Sequence, residues 1–484
     1  MMNYLDLTIQ EIHQALLDSK VTPLELTKES LRRAKEDNNN AFEYICEKEA
    51  LSAVEQLKNK DKNNIMWGIP FVIKDNFSTK DIPTTASSNM LNGYTPVFSS
   101  EVYTRLFTAG AIPIGKTTMD ELAMGGTGTS GHKGATYNPF DPKHERMIGG
   151  SSCGSAAAIS ASIAPLGIGS DTGDSVRKPA SYAGLVGFKP TWSRISRYGL
   201  FPFAVSLDHV AYFTRSVEDS ALTLELLAGC DPKDTTSSSR PVENYSKQLT
   251  GDVSGIKIAI IKELIDLIED SFIKESFLSS IEALKQKGAV VNYASLDERL
   301  CSAILPTYYI LSSAEATSNN AYLDGIRFGP RFEGKNYEEV VTKARTQGFS
   351  EHIKRRFIIG SYALLSENQH DIFLRAQKCR RLIVDAVNEI LKENDVIYLP
   401  ASPTVAPLFK DIGKGDEKMV PIENYLSIAN LAGLPSLTLP LGKKDGLPFG
   451  GNITGRAFEE TTVFNVSLAI QNITGLKNLS VKEK

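Results

Sequence analysis

The spacing of apolar residues predicts two helices at the start of the chain. Apolar side chains recur at helical intervals after Thr8 and again after Thr22. Each threonine is followed three residues later by a glutamate, which is the pattern of a capping box. Pro23 also fits the first position of the second helix, where its missing N–H costs nothing. These signals place both helices within the first 36 residues.

Short apolar runs bounded by turn residues predict buried strands that alternate with helices. The clearest runs cover residues 68–77, 253–263, 395–404 and 435–442. Residues 102–109 and 155–161 have helical patterns, and residues 303–395 are predicted to be mostly helical. This mixed order is typical of an α/β fold. No repeat, low-complexity linker or clear domain boundary interrupts it, so we predict one domain over residues 1–484.

Composition narrows the class of protein. The 484 residues carry a net charge of −4 with both signs mixed, which disfavours a bulk binder of nucleic acid. The five cysteines are scattered without a CxxC pair, as in a protein with reduced thiols. Neither a signal peptide nor an apolar stretch long enough to cross a bilayer is recognisable. We therefore expect a cytoplasmic protein that does not bind membranes.

Residues 110–117, "GAIPIGKT", match the letters of a phosphate-binding loop. Such a loop follows a strand, precedes a helix and offers backbone N–H groups to the phosphates. Here the predicted order is helix, glycine, strand. The residues inside the motif are apolar, and Pro113 has no backbone N–H to donate to a phosphate. We therefore predict a buried strand rather than a nucleotide site.

Residues 150–154, "GSSCG", match the nucleophile elbow of α/β-hydrolases, with Ser152 as the nucleophile. That fold requires a late histidine, and none of the six histidines lies in a convincing motif. His132 and His144 have no evident third metal ligand, so we predict no metal site. A serine without histidine needs another base, and burial at the end of an apolar strand would keep Lys74 neutral. The same position also fits an ordinary lysine at a strand end.

Several longer blocks resemble the amidase signature family. "GGSSCGSAAAI" and "GSDTGDSVRKPASYAGLVGFKPT" are similar to its signature, and "GIPFVIKDN" and "NLAGLPSLTLP" match other blocks in family order. The resemblance covers nearly the whole chain. It implies a single large mixed β-sheet flanked by helices on both sides. The implied parts are N-terminal helices (1–60), a catalytic core (61–230), a mostly helical substrate-side region (290–395) and late core strands (396–470).

The resemblance also implies a catalytic triad of two serines and a lysine. Matched motif to motif, the nucleophile is Ser175, the bridging serine with a cis peptide is Ser151, and the base is Lys74. Backbone N–H groups of Thr172, Gly173 and Asp174 would form the oxyanion hole. No cofactor is implied for this chain.

The blocks "YYILSSAEATSNNAYLDGIRFG" and "GFSEHIKRRFIIGSYAL" are similar to one branch of the family, the glutamine-hydrolysing subunits of tRNA-dependent amidotransferases. This resemblance implies a heterotrimer with two partner subunits, B and C. Ammonia released from glutamine passes to the B subunit, which uses ATP and Mg²⁺ to convert Glu-tRNA(Gln) to Gln-tRNA(Gln) and holds most of the tRNA. The C subunit is small and clamps the other two together. Arg356 would bind the glutamine carboxylate, Tyr308 would line the site, and Glu423 would be the acidic anchor, where the branch usually has Asp.

Three residues depart from the family pattern. Asp174 and Cys153 replace glycines, and Lys178 replaces a common glutamine. A carboxylate about 4 Å from the oxyanion would oppose it by about 4 kcal/mol, or roughly a thousandfold in rate. We therefore expect the Asp174 carboxylate to point away from the oxyanion. Lys178 and Arg177 are the candidate partners, and our hypothesis is that Asp174 pairs with Lys178.

Two other functions stay open from the sequence. A free-standing amidase acting on another small amide would share the triad and differ only in its substrate anchors. A catalytically dead scaffold that holds partner subunits would explain Asp174 and Cys153, although it has no chemical need for Lys74, Ser151 and Ser175 together.

Overall fold

The computed structural model describes residues 3–266, 268–412 and 425–481. Both predicted N-terminal helices are present, each with a complete capping box. The helices are α1 Ile9–Leu17, α2 Pro23–Lys35, α3 Glu47–Gln56, α4 Glu101–Thr108, α5 Cys153–Ser160, α6 Arg177–Ala183, α7 Val217–Leu227, α8 Lys262–Asp266, α9 Ser271–Gln286, α10 Glu298–Asn319, α11 Tyr337–Gly348, α12 Glu351–Leu364, α13 Arg375–Glu393, α14 Ile428–Leu431 and α15 Glu460–Thr474.

The strands form one mixed sheet, as the resemblance implied. They are β1 Phe42–Ile45, β2 Pro70–Lys74, β3 Ile112–Thr117, β4 Leu166–Asp171, β5 Val186–Lys189, β6 His209–Thr214, β7 Lys257–Ile261, β8 Val290–Ala294, β9 Val396–Pro400, β10 Ser436–Lys444 and β11 Leu447–Gly455. Their order is β1-β3-β2-β4-β6-β5-β10-β11-β9-β7-β8. The pairs β3/β2, β2/β4, β9/β7 and β7/β8 are parallel, and the others are antiparallel.

Helices cover both faces of this sheet. On strand β5, a side chain at Gly187 would meet Val176 and Ala180 beside helix α6. The next residue, Phe188, packs on Phe464 of helix α15, with ring centroids 4.7 Å apart. Because successive strand residues point to opposite faces, α6 and α15 lie on opposite sides of the sheet. The site described below lies near β2 and β4, which are neighbours in the sheet.

The phosphate-loop pattern lies on a buried strand, as predicted. Helix α4 ends before Gly110, and strand β3 follows it directly. The Lys116 ammonium is fully buried, lies 3.1 Å from Asp75 Oδ1 and donates to Thr84 Oγ1 at 2.7 Å. A lysine held this way inside the protein does not present its charge to a nucleotide.

Candidate active site

Lys74 is the last residue of strand β2, and its side chain is fully buried. Its Nζ donates to Ser151 Oγ at 2.7 Å and to Ser170 Oγ at 2.9 Å. Burial disfavours the charged form and lowers the pKa of Lys74 to about 7. A substantial fraction of this lysine is therefore neutral near neutral pH, which lets it accept a proton from a hydroxyl.

Ser151 lies in a loop whose shape depends on glycine. The Gly150–Ser151 peptide is cis, as the resemblance implied. A Cβ at Gly150 would lie 1.9 Å from Asp120 Oδ2, so no larger residue fits there. The Asp120 carboxylate accepts hydrogen bonds from the backbone N–H groups of Gly128, Thr129 and Ser130 at 2.9 to 3.0 Å. The backbone N–H of Asp120 donates to the Ser151 carbonyl oxygen at 3.1 Å, which joins this segment to the loop that carries Ser151.

Ser175 lies in the turn between strand β4 and helix α6 and is 3% exposed. The backbone N–H of Ser152 donates to the Ser175 carbonyl oxygen at 3.2 Å, which joins the turn to the Ser151 loop. Strands β2 and β4 are parallel neighbours, so their carboxyl ends carry Lys74 and the Ser175 turn to the same edge of the sheet. The structure thus places the turn that carries Ser175 beside the loop that carries Ser151, and Ser151 in turn contacts Lys74.

A buried ion pair supports the turn that contains residues 172–175. The Arg177 guanidinium lies 3.0 Å from Asp171 Oδ1, and both side chains are fully buried. Arg177 also donates to the Gly173 carbonyl oxygen at 2.7 Å, and Thr172 Oγ1 donates to Asp208 Oδ1 at 2.7 Å. Within the described ranges, the N–H groups of Thr172, Gly173 and Ser175 have no hydrogen-bond acceptor. Such donors can receive a developing oxyanion.

Asp174 pairs with Lys178, one of its two expected partners. Lys178 Nζ lies 2.7 Å from Asp174 Oδ2, and both side chains are largely buried. The other expected partner, Arg177, is bound to Asp171 instead. The charge that the sequence placed next to Ser175 is therefore compensated locally.

Arg356 and Tyr308 lie beside this turn, on helices α12 and α10. A Cβ at Gly173 would lie 3.0 Å from Tyr308 Oη, so glycine is required for this close approach. The Arg356 guanidinium lies 5.8 Å from the centre of the Tyr308 ring. Its Nη2 donates to Ser312 Oγ at 3.1 Å, but its buried Nε and Nη1 have no partner in the described part of the chain. An anionic group is the natural ligand of such a guanidinium.

The remaining predictions have different outcomes. Glu423, the expected acidic anchor, lies outside the described residues. Ser152 Oγ donates to the Ser170 carbonyl oxygen at 3.1 Å, and no hydrogen bond joins a histidine to Ser152 or Ser175 in the described ranges. No group of metal-ligating side chains is present among the residues that the structure describes. No described helix is long and apolar enough to cross a bilayer.

Sequence reasoning missed Ser170, which binds Lys74, and Asn76, which binds Ser170. Ser170 Oγ accepts from both Lys74 Nζ and Asn76 Nδ2, the latter at 3.0 Å. Both residues are almost fully buried. The one available signal was the position of Ser170 at the end of strand β4, next to the strand that carries Lys74.

Comparison with known proteins decides the family. The sequence model of the Amidase family matches residues 25–464. The chain belongs to the amidase family. It is 39% identical over 480 residues to the A subunit of the glutamyl-tRNA(Gln) amidotransferase of Listeria innocua, with 98% of each chain covered. The protein of the same name from Geobacillus kaustophilus is 40% identical over 483 residues, again with 98% of each chain covered.

Solved structures of amidase-family proteins have the same fold. The A subunit of the glutamyl-tRNA(Gln) amidotransferase of Thermotoga maritima superposes with a TM-score of 0.79 at 32% identity, covering 98% of this chain and 96% of its own. A peptide amidase from Stenotrophomonas maltophilia superposes with the same TM-score at 25% identity, covering 97% of both chains. The fold is therefore shared by amidase-family enzymes with different names, and the substrate has to be argued from the site.

Proposed function

We propose that this chain hydrolyses the side-chain amide of glutamine and supplies the ammonia to a tRNA-dependent amidotransferase. The observation that carries the proposal is the buried Lys74 Nζ at 2.7 Å from Ser151 Oγ, with a pKa lowered by burial to about 7. A buried neutral lysine next to a serine is a general base without histidine. The two relatives are named as A subunits of glutamyl-tRNA(Gln) amidotransferases, which supports an amidotransferase subunit here, and we propose glutamine as its amide donor.

The proposed reaction uses Lys74, Ser151 and Ser175 in turn. Neutral Lys74 takes a proton from Ser151, and Ser151 takes a proton from Ser175. The Ser175 Oγ attacks the amide carbon at the same time. Backbone N–H groups of residues 172–175 stabilise the oxyanion. Return of the proton through Ser151 to the amide nitrogen releases ammonia and leaves a glutamyl ester on Ser175. Water activated by the same relay hydrolyses that ester to glutamate and restores the free serine.

The pH dependence of the reaction should report Lys74. Because the folded pKa is about 7, the lysine is mostly protonated and inactive as a base below that pH. We expect kcat/KM for glutamine to fall about tenfold for each pH unit below 7 and to level off above about pH 8. A pH–rate profile of ammonia release measures this. A profile without an acid limb between pH 5 and 8 would contradict the role of Lys74.

Arg356 is the proposed anchor for the glutamine carboxylate, because its buried Nε and Nη1 lack partners within the described residues. Arg356→Gln is expected to raise KM for glutamine between about 10- and 100-fold with a smaller change in kcat, since charged hydrogen bonds are lost. Hydrolysis of a neutral primary amide without a carboxylate is the control. Equal losses on glutamine and on the neutral amide would contradict this role.

The proposed complex contains partner subunits B and C, in the cytoplasm. The B subunit would hold most of the tRNA and use ATP and Mg²⁺ to activate the glutamate of Glu-tRNA(Gln), so this chain itself needs no cofactor. Measuring ammonia release from glutamine with and without B, C, tRNA and ATP tests the proposal. Release that rises in the complete mixture is the expected result. Faster hydrolysis of another small amide than of glutamine, at a rate that the partners do not change, would indicate a free-standing amidase. Binding of the partner subunits without any release of ammonia would indicate a scaffold.

A further inference from the structure

We propose that Lys178 is a positioning residue for the reaction at Ser175: its ammonium neutralises the Asp174 carboxylate so that the turn can stabilise an oxyanion. This inference rests on the proposed amide hydrolysis. Asp174 lies between Gly173 and Ser175, so any uncompensated charge on it would act on the reacting atoms at close range. A negative charge there opposes the transition state more than the neutral ground-state amide.

The geometry of the pair fits this role. Lys178 Nζ lies 2.7 Å from Asp174 Oδ2, and the backbone N–H of Lys178 donates to the Asp174 carbonyl oxygen at 2.9 Å. The two residues are four positions apart: Asp174 lies in the turn before helix α6, Lys178 is the second residue of that helix, and the backbone hydrogen bond joins them. The side chains are 11% and 8% exposed. Solvent and salt therefore screen this pair much less than a surface pair.

The neighbouring cation does not compensate Asp174. The Arg177 guanidinium is bound to Asp171, to the carbonyl oxygens of Gly173 and Leu426, and to Asn430 Oδ1. These contacts support the backbone of the turn and balance the charge of Asp171. Among the residues that the structure describes, Lys178 is the cation paired with Asp174.

The negative charge of Asp174 acts electrostatically on Tyr308, which lies on the substrate side of the turn. Burial is the main cause that raises the pKa of Tyr308, and the negative charge of Asp174 raises it further. Tyr308 in turn contacts Gly173 closely and lies near Arg356. Without Lys178, the Asp174 carboxylate would oppose the oxyanion at Ser175, and it would also weaken the attraction of Arg356 for an anion.

The test compares four chains in ammonia release from glutamine and in thermal unfolding. Lys178→Gln is expected to lower kcat between about 10- and 1,000-fold, because the carboxylate loses its counter-charge. Adding Asp174→Gly to Lys178→Gln removes the carboxylate but keeps the backbone N–H, and should recover kcat to within about threefold of wild type. Lys343→Gln breaks a surface pair with Glu339 at the same four-residue spacing and should leave kcat unchanged. Lys178→Met serves as a second uncharged variant if Lys178→Gln does not fold.

A purely structural role for Lys178 would give a different pattern, with a lower melting temperature and no recovery of kcat in the double variant. Wild-type kcat in folded Lys178→Gln, or a double variant as slow as the single one, would overturn the proposal. A neutral fluorophosphonate that labels Ser175 gives a readout independent of glutamine, since it also forms an anionic oxygen in the turn. If the reagent labels Ser175 of the wild type but no ammonia is released from glutamine, the proposed function fails. The proposal for Lys178 is still supported in that case if Lys178→Gln is labelled more slowly and the double variant recovers the wild-type labelling rate.

Discussion

Ser175→Ala is expected to lower ammonia release from glutamine by about 10⁴-fold or more, because no other group replaces a missing serine nucleophile. The backbone of the turn does not depend on the hydroxyl, since it is held by Asp171 and Arg177. Thermal unfolding should therefore change little. Glutamine should still bind, because the proposed anchor Arg356 is untouched. Ammonia release under single-turnover conditions measures the loss.

Ser152→Ala is the matched control for this prediction. Ser152 is adjacent in sequence to Ser151 and is the serine that fits the G-x-S-x-G pattern, but its Oγ donates to a backbone carbonyl oxygen. We expect this variant to retain at least about 100-fold more activity than Ser175→Ala. The reverse order of the two variants would contradict the assignment of Ser175 as the nucleophile.

Lys74→Met is expected to lower kcat between about 10² and 10⁴-fold, because the relay loses its base. The same variant should be more stable at pH 7. The pKa of Lys74 in the folded protein lies far below the usual 10.5. The unfolded chain therefore binds the proton more strongly than the folded protein does. Burial of Lys74 thus lowers the free energy of unfolding at every pH below about 10. Lys74→Met removes this cost but also loses the hydrogen bonds to Ser151 and Ser170. The free energy of unfolding should therefore rise by a net of about 2 kcal/mol at pH 7. The gain should shrink as pH rises toward 10.

Lys116→Met provides the control, because Lys116 is equally buried on the adjacent strand β3 but lies 3.1 Å from Asp75. Its removal leaves a buried carboxylate without its counter-charge and should destabilise the fold by about 3 to 5 kcal/mol. Denaturant unfolding at pH 7 and 9.5 compares the two variants. A loss of stability in Lys74→Met at pH 7 as large as that in Lys116→Met would contradict a neutral, catalytic Lys74.

Local elements and the position of Lys74 followed from the sequence, because they depend on neighbouring residues. The capping boxes at Thr8 and Thr22 and the strand ending at Lys74 are set by short-range patterns. The order of secondary structure around Gly110 was also enough to exclude a phosphate loop, since an apolar strand cannot present its backbone N–H groups to a ligand.

The rest required three-dimensional contacts between distant positions. Ser170 holds Lys74 across 96 residues, and that contact depends on the pairing of strands β2 and β4. Strand β5 pairs with β10 across about 250 residues, so the order of the sheet could not be read from local patterns. The unpartnered Nε and Nη1 of Arg356 are visible only when every neighbour within the described ranges is known. The family resemblance supplied Ser151, Ser175 and Arg356, which residue chemistry alone left open.

The central claim is that Ser175 attacks glutamine, and trapping the acylated enzyme tests it most directly. The purified chain, with partner subunits B and C if they are needed for turnover, would be mixed with glutamine, quenched in acid and digested. Mass spectrometry of the peptides would then locate any glutamyl ester. A glutamyl ester on the peptide containing Ser175, absent in Ser175→Ala, is the result that we predict. An ester on Ser151 or Ser152, or ammonia release with no ester on any serine, would contradict the account.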